Sequence, residues 1–153
     1  VVNAGNGRVV VLASGAPWAD PPTSGAVVVI DTATDTVVNS IPLDSGASDR
    51  MEMGPSGSAY FLTGGALARF DVASEALKPD FITAAEAGAG GFYGLSVNLA
   101  TGVIYLSDAK DYVTAGDVYV FDSQGASVRS FGADLLPRAM AFVGDASGAD
   151  VLY

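Results

Sequence analysis

Residues 108–112, Asp108-Ala109-Lys110-Asp111-Tyr112, place two carboxylates, one ammonium group and one aromatic ring within five positions. Carboxylates accept hydrogen bonds, an ammonium donates them, and a tyrosine ring offers a flat face. Together they could hold a polar small molecule by hydrogen bonding and stacking. The same residues could instead brace a loop, with an Asp capping a turn, a Lys–Asp pair tying the chain and Tyr112 packed on the neighbouring strands. The residue types alone leave both readings open.

Other candidates are scattered along the chain. Trp18, the only tryptophan, stands among Pro17, Asp20, Pro21 and Pro22. An indole on a proline-stiffened loop is a candidate anchor for a ligand or partner, or else a lid over its own strands. Phe92 and Tyr93 precede a strand-like run and are read either as lining a channel mouth or as core. Arg50 and Arg138 lie at comparable strand starts, where a guanidinium could meet an anionic group or pair with a carboxylate.

Composition removes several chemistries. The chain has 153 residues with no Cys and no His. Disulfides, thiol catalysis, Cys/His zinc sites and a Ser-His-Asp triad are therefore excluded within it. The formal charge is −10, from 17 acidic and 7 basic residues, and an acidic surface repels a phosphate backbone, so no nucleic-acid partner is expected. No apolar run approaches the roughly 18 residues of a membrane span. The run at 88–94, GAGGFYG, carries Tyr93 where a dinucleotide fingerprint needs its third glycine, and Asp31 and Asp35 lack calcium-loop spacing. No cofactor and no catalytic residue is predicted.

The elements that must position these residues are short strands. Residues 101–131 contain three, at 103–106, 118–121 and 127–131, joined by a polar loop at 107–116 and a tight turn at 122–125. Further strands are expected at 8–13, 26–30, 36–43, 58–63, 66–72, 76–82, 91–97 and 136–143. The apolar run 26–30 reads as buried on both faces. Residues 73–87 also carry helical signals, set aside because Pro79 interrupts them. Turn glycines at 7, 57, 102 and 148 are 50, 45 and 46 positions apart, and strands ending in Asp recur at Asp31, Asp71 and Asp122. A period of roughly 40–50 residues with four strands predicts an all-β fold, a β-propeller of four-stranded antiparallel blades. The blades would span about 1–43, 50–83 and 91–131, with a partial fourth at 136–153. Because both ends look strand-like, the chain is expected to be a segment of a larger ring, closed by further chain or by another subunit. Its long second-to-third-strand loops and inter-blade links share one face, the expected binding face.

The run AVVVIDTATDTVVNSIPL at 26–43 resembles the repeat of the bacterial YVTN/YncE-like β-propellers. The run at 92–122, with its DAKDYV motif, resembles surface propeller lipoproteins of Bacteroides-type bacteria, including the cobalamin-binding BtuG-like group. The resemblance implies a non-catalytic, extracytoplasmic binding module at the cell surface or in the periplasm, anchored to the outer membrane through a preceding segment. Its ligand would be a small molecule such as a corrinoid, passed to an outer-membrane transporter. Two alternatives stand beside this. One is a propeller enzyme such as a calcium-dependent lactonase, for which Asn3, Glu52 and Asn98 are the available side chains. The other is a structural or assembly subunit joined through strand edges.

Overall fold

The computed structural model describes residues 2–5, 7–16, 18–144 and 150–152. It is all-β, with three four-stranded antiparallel sheets, a two-stranded hairpin and almost no helix. The chain divides into two compact units, Val1–Phe81 and Ile82–Tyr153.

The first unit holds two sheets. Strands β1 (Val2–Gly5), β2 (Arg8–Ala13), β3 (Ala26–Asp31) and β4 (Thr36–Pro42) form the first, paired in chain order. Strands β5 (Ala47–Met53), β6 (Ser58–Thr63), β7 (Ala66–Asp71) and β8 (Ala76–Thr83) form the second, with β8 reaching two residues into the second unit. Alternation puts every second side chain on the same face. Val10, Val27 and Val29 of one sheet pack on Ala59, Phe61, Ala68 and Phe70 of the other, with Met51 and Met53 at the margin. Among the described residues Val27 and Val29 are fully buried while Val28 and Ile30, on the other face of β3, are half-buried.

The second unit contains β9 (Gly94–Val97), β10 (Ile104–Asp108), β11 (Asp117–Phe121) and β12 (Ser127–Gly132), again paired in chain order. A hairpin of β13 (Phe142–Gly144) and β14 (Asp150–Leu152) follows. Tyr105, Val118 and Val120 pack with Met140 and Phe142, whose ring stands edge-on to Tyr105 at 5.3 Å.

The recurring terminal aspartates have a local cause. Asp31 Oδ1 accepts from the Ala33 N–H, Asp71 Oδ1 from the Ser74 N–H and hydroxyl, and Asp122 Oδ1 from the Gln124 and Ala126 N–H groups. Each carboxylate thus closes the hairpin after the third strand of its sheet by satisfying turn donors. Two expected boundaries are corrected. After β8 one helical turn, α1 (Ala84–Ala87), forms on a capping box between Thr83 and Glu86, with Gly88 as left-handed C-cap, so strand and helix signals at 73–87 are both realised, in succession. Residues 136–141 are a link rather than a strand, with Leu136 at φ +54°. Asn6, Pro17 beside Trp18, and residues 145–149, which include the turn glycine expected at 148, lie outside the described residues. Among the described residues no helix is long and apolar enough to cross a membrane.

Candidate functional site

The site forms at one end of the third sheet, where the link before β9, the loop after β10 and the link after β12 converge. Asp108 is the last residue of β10 and is 4% exposed. Its Oδ2 accepts from the Gly90 N–H at 2.7 Å and its Oδ1 from the Lys110 N–H at 2.7 Å. The carboxylate therefore ties a link to a loop across 18 residues of sequence. Each of its oxygens thus accepts from one backbone donor.

The loop at 109–116 is held at several points. The Tyr112 N–H donates to the Ala109 carbonyl at 2.9 Å. Asp111 Oδ1 accepts from the Thr114 hydroxyl at 2.7 Å, the Thr114 N–H at 2.8 Å and the Val113 N–H at 3.1 Å. These donors, the Thr114 hydroxyl first, hold the Asp111 carboxyl below its ordinary value. The Lys110 Nζ stands 2.9 Å from Asp117 Oδ2, so the lysine pairs with Asp117 and not with Asp111, and this partner raises its pKa. Gly116 closes the loop by necessity: a Cβ there would lie 2.4 Å from the Asp108 carbonyl oxygen and 2.8 Å from the Pro137 ring. The Ser107 hydroxyl donates to the Pro137 carbonyl, and a Cβ at Gly94 would lie 2.7 Å from the Arg138 carbonyl oxygen. The link at 133–138 is thus packed onto the strand ends.

The bracing forces two side-chain-bearing residues into left-handed backbone, Lys110 at φ +50° and Tyr112 at φ +65°. For a bulky aromatic this is unfavourable by about 1–3 kcal/mol. Its consequence is presentation: Tyr112 stays 58% exposed, with its ring perpendicular to Tyr93 (89°) at 5.5 Å. Beside this ring pair lies a cleft of about 160 Å³ lined by Gly90, Gly91, Phe92, Tyr93, Asp108, Ala109, Lys110 and Tyr112.

Five sequence-predicted residues, Phe92, Tyr93, Asp108, Lys110 and Tyr112, meet in this cleft. Asp111 supports the loop from outside it. Arg138 lies in the packed link. Trp18, Asp20 and Arg50 belong to the first unit. Trp18 is 82% exposed, which corrects the lid alternative, and the Asp20–Pro21 peptide is cis. Arg50 sits on β5, where its charge partly offsets the burial that raises the Glu52 pKa. Asn98 Oδ1 accepts from the Ala100 and Thr101 N–H groups in the β9–β10 turn. Among the described residues no group of three or more His, Cys, Asp or Glu side chains could hold a metal ion.

Sequence reasoning missed Gly90, Gly91 and Asp117. A signal existed for Asp117, which faces Asp108 in the β10–β11 register: two like charges directly opposed need a cation or donors between them. A second cleft of about 180 Å³, in the first unit, is lined by Asp44, Ser45, Thr63 and Asp80 among others. It has no aromatic wall, and the Ser45 and Thr63 hydroxyls bond each other at 2.8 Å.

No family model and no curated protein matches the chain. Among solved structures it is similar, over 80% of its length, to part of Kuenenia stuttgartiensis hydrazine synthase, with 16% identity and a TM-score of 0.60. It is also similar, over 98% of its length, to part of dihydro-heme d1 dehydrogenase NirN in complex with DHE, with 13% identity and a TM-score of 0.54. The chain spans 34% of the first and 27% of the second. At such identities the likeness is one of fold, and it makes this chain similar to a portion of two longer proteins.

Proposed function

We propose that the chain is a segment of a β-propeller, its ring closed by further chain or another subunit, that serves as a non-catalytic ligand-binding module. The fold part rests on three four-stranded meanders in chain order, two of them packed face to face through apolar residues. Such sheets suit radial repetition.

The observation that carries the binding part is the backbone at Lys110 and Tyr112. A loop that holds an exposed tyrosine in left-handed conformation, against the intrinsic preference, is organised before any ligand arrives. Preorganisation lowers the entropy lost on binding. The resemblance of 92–122 to surface propeller lipoproteins favours an extracytoplasmic, cell-surface setting and a nutrient ligand, with a corrinoid as the specific form and an outer-membrane transporter as partner. A corrinoid is larger than a cleft of about 160 Å³, so the cleft would seat one part of it.

Titration with cobalamin, followed by its visible absorbance, tests this form. Saturable binding that Tyr112→Ala weakens supports it. No binding at high micromolar concentration removes the corrinoid and leaves the cleft open to other ligands.

A further inference from the structure

We propose that the cleft at 90–112 recognises a small alkylammonium cation, a quaternary or tertiary ammonium group of a ligand. This rests on the cleft being a ligand site and is independent of the corrinoid.

Three features of the cleft point the same way. Its lining includes three aromatic residues, Phe92, Tyr93 and Tyr112, beside Gly90, Gly91, Asp108, Ala109 and Lys110, and the perpendicular Tyr93 and Tyr112 rings make a corner. Aromatic faces carry the negative part of the ring quadrupole and attract cations, alkylated ammonium groups above all. Beside the rings stands a carboxylate: Asp108 lines the cleft at 4% exposure, each oxygen accepting from one backbone N–H, with Lys110 also in the lining. The segment 108–117 carries Asp108, Asp111 and Asp117 against Lys110 alone, a sum of −2. The negative potential registers on Tyr119, whose hydroxyl pKa is raised first by burial and then by Asp117 and Asp108.

The lysine does not reverse this. Its ammonium is committed to Asp117 at 2.9 Å. A strongly hydrated ammonium is costly to desolvate, whereas an alkylated one sheds little water when it meets aromatic faces. Size is consistent as well. A cleft of about 160 Å³ admits a trimethylammonium group, and Gly91, where a Cβ would meet no atom within 4 Å, leaves its edge open.

Isothermal titration of the protein, with its ring closed as it occurs, with three isosteres tests the proposal: choline, the neutral alcohol with a tert-butyl group in place of trimethylammonium, and the corresponding carboxylate. Choline is expected to bind about tenfold or more tightly than the alcohol, and the carboxylate more weakly still. Tyr112→Ala weakens choline about tenfold, and Tyr112→Phe, which keeps the ring, stays within about twofold. Lys110→Gln tightens it about twofold or more at low salt, with the gain lost at high salt. Circular dichroism of each variant reports folding, and the exposed position of Tyr112 keeps its variants informative. Equal binding of choline and alcohol, or tight choline binding untouched by Tyr112→Ala, overturns the proposal. If the alcohol or carboxylate binds in a Tyr112-dependent way and choline does not, the cation falls and the ligand site stands. If none of the three binds, the proposal falls, while the cobalamin titration still decides the corrinoid form separately.

Discussion

Two loops occupy the same topological slot, between the second and third strands of a four-stranded meander, and end up physically unlike. The loop at 14–25 carries Trp18, and the loop at 109–116 carries Tyr112. The first is held by the Ala16–Thr23 bridge, by the Thr23 hydroxyl accepting from the Ala16 N–H at 2.9 Å, and by Pro21 and Pro22. Its one acid, Asp20, makes no hydrogen bond to the loop backbone among the described residues, and the indole projects at 82% exposure. The second is bounded or crossed by three aspartates, each spent on a backbone donor or on Lys110. Its aromatic is consequently aimed at a neighbour 5.5 Å away. Carboxylates that accept from the backbone convert a polar loop into a fixed frame; prolines only narrow the conformations of a chain that still has no destination.

The largest expected effect comes from removing the frame. Asp108→Ala deletes two hydrogen bonds to an ionised acceptor and should destabilise the protein by about 2–4 kcal/mol, read as a lower denaturant midpoint. No equivalent acid exists in the 14–25 loop, so Asp20→Ala should leave the midpoint unchanged.

Tyr112→Gly separates presentation from stability. It loses an edge-to-face ring contact of about 0.5–1.5 kcal/mol and relieves a left-handed penalty of about 1–2 kcal/mol, so unfolding should move by about 1 kcal/mol or less. Ligand binding in the cleft should nevertheless drop about tenfold. A large loss of stability would show that the ring is part of the core instead.

A smaller effect is pH-dependent. The Asp111 carboxyl is depressed in the folded protein, chiefly by the Thr114 hydroxyl. The unfolded chain therefore binds the extra proton first as pH falls. Its contribution is complete above the ordinary carboxylate value of about 4 and is lost as pH falls below it, through the depressed folded value. Asp111→Ala should flatten that acid limb in urea unfolding measured across pH.

The smallest effect belongs to Trp18. Trp18→Ala should change stability by about 0.5 kcal/mol or less, and the single indole should emit as a water-exposed fluorophore quenched by acrylamide. A blue-shifted emission would mean that the loop packs the indole after all.

Much of the strand pattern was readable in advance. Expected runs at 8–13 and 58–63 coincide with β2 and β6, and 26–30 falls one residue short of β3. These runs are apolar, β-branched or aromatic and are punctuated by turn residues, signals that act within a few positions. The expected strand at 136–143 is realised only from Phe142, because residues 136–141 form a link packed against Gly94 and Gly116. That packing depends on glycines 20 or more residues away in sequence. The helical turn after β8 was half legible: Thr83 and Glu86 have capping-box spacing, and the strand ahead of them obscured it.

By itself, then, the sequence determined where strands and turns fall, that Cys and His chemistry is absent, and that residues 108–112 are chemically dense. Those properties reside in side-chain type and in interactions a few residues apart. Only the tertiary structure decided how those side chains are arranged. It buried Asp108 against the Gly90 N–H, joined Lys110 to Asp117 and stood Tyr112 across from Tyr93. Each of these meetings follows from strand register and from the paths of two links, and register is a property of paired strands that no single strand carries in its residues.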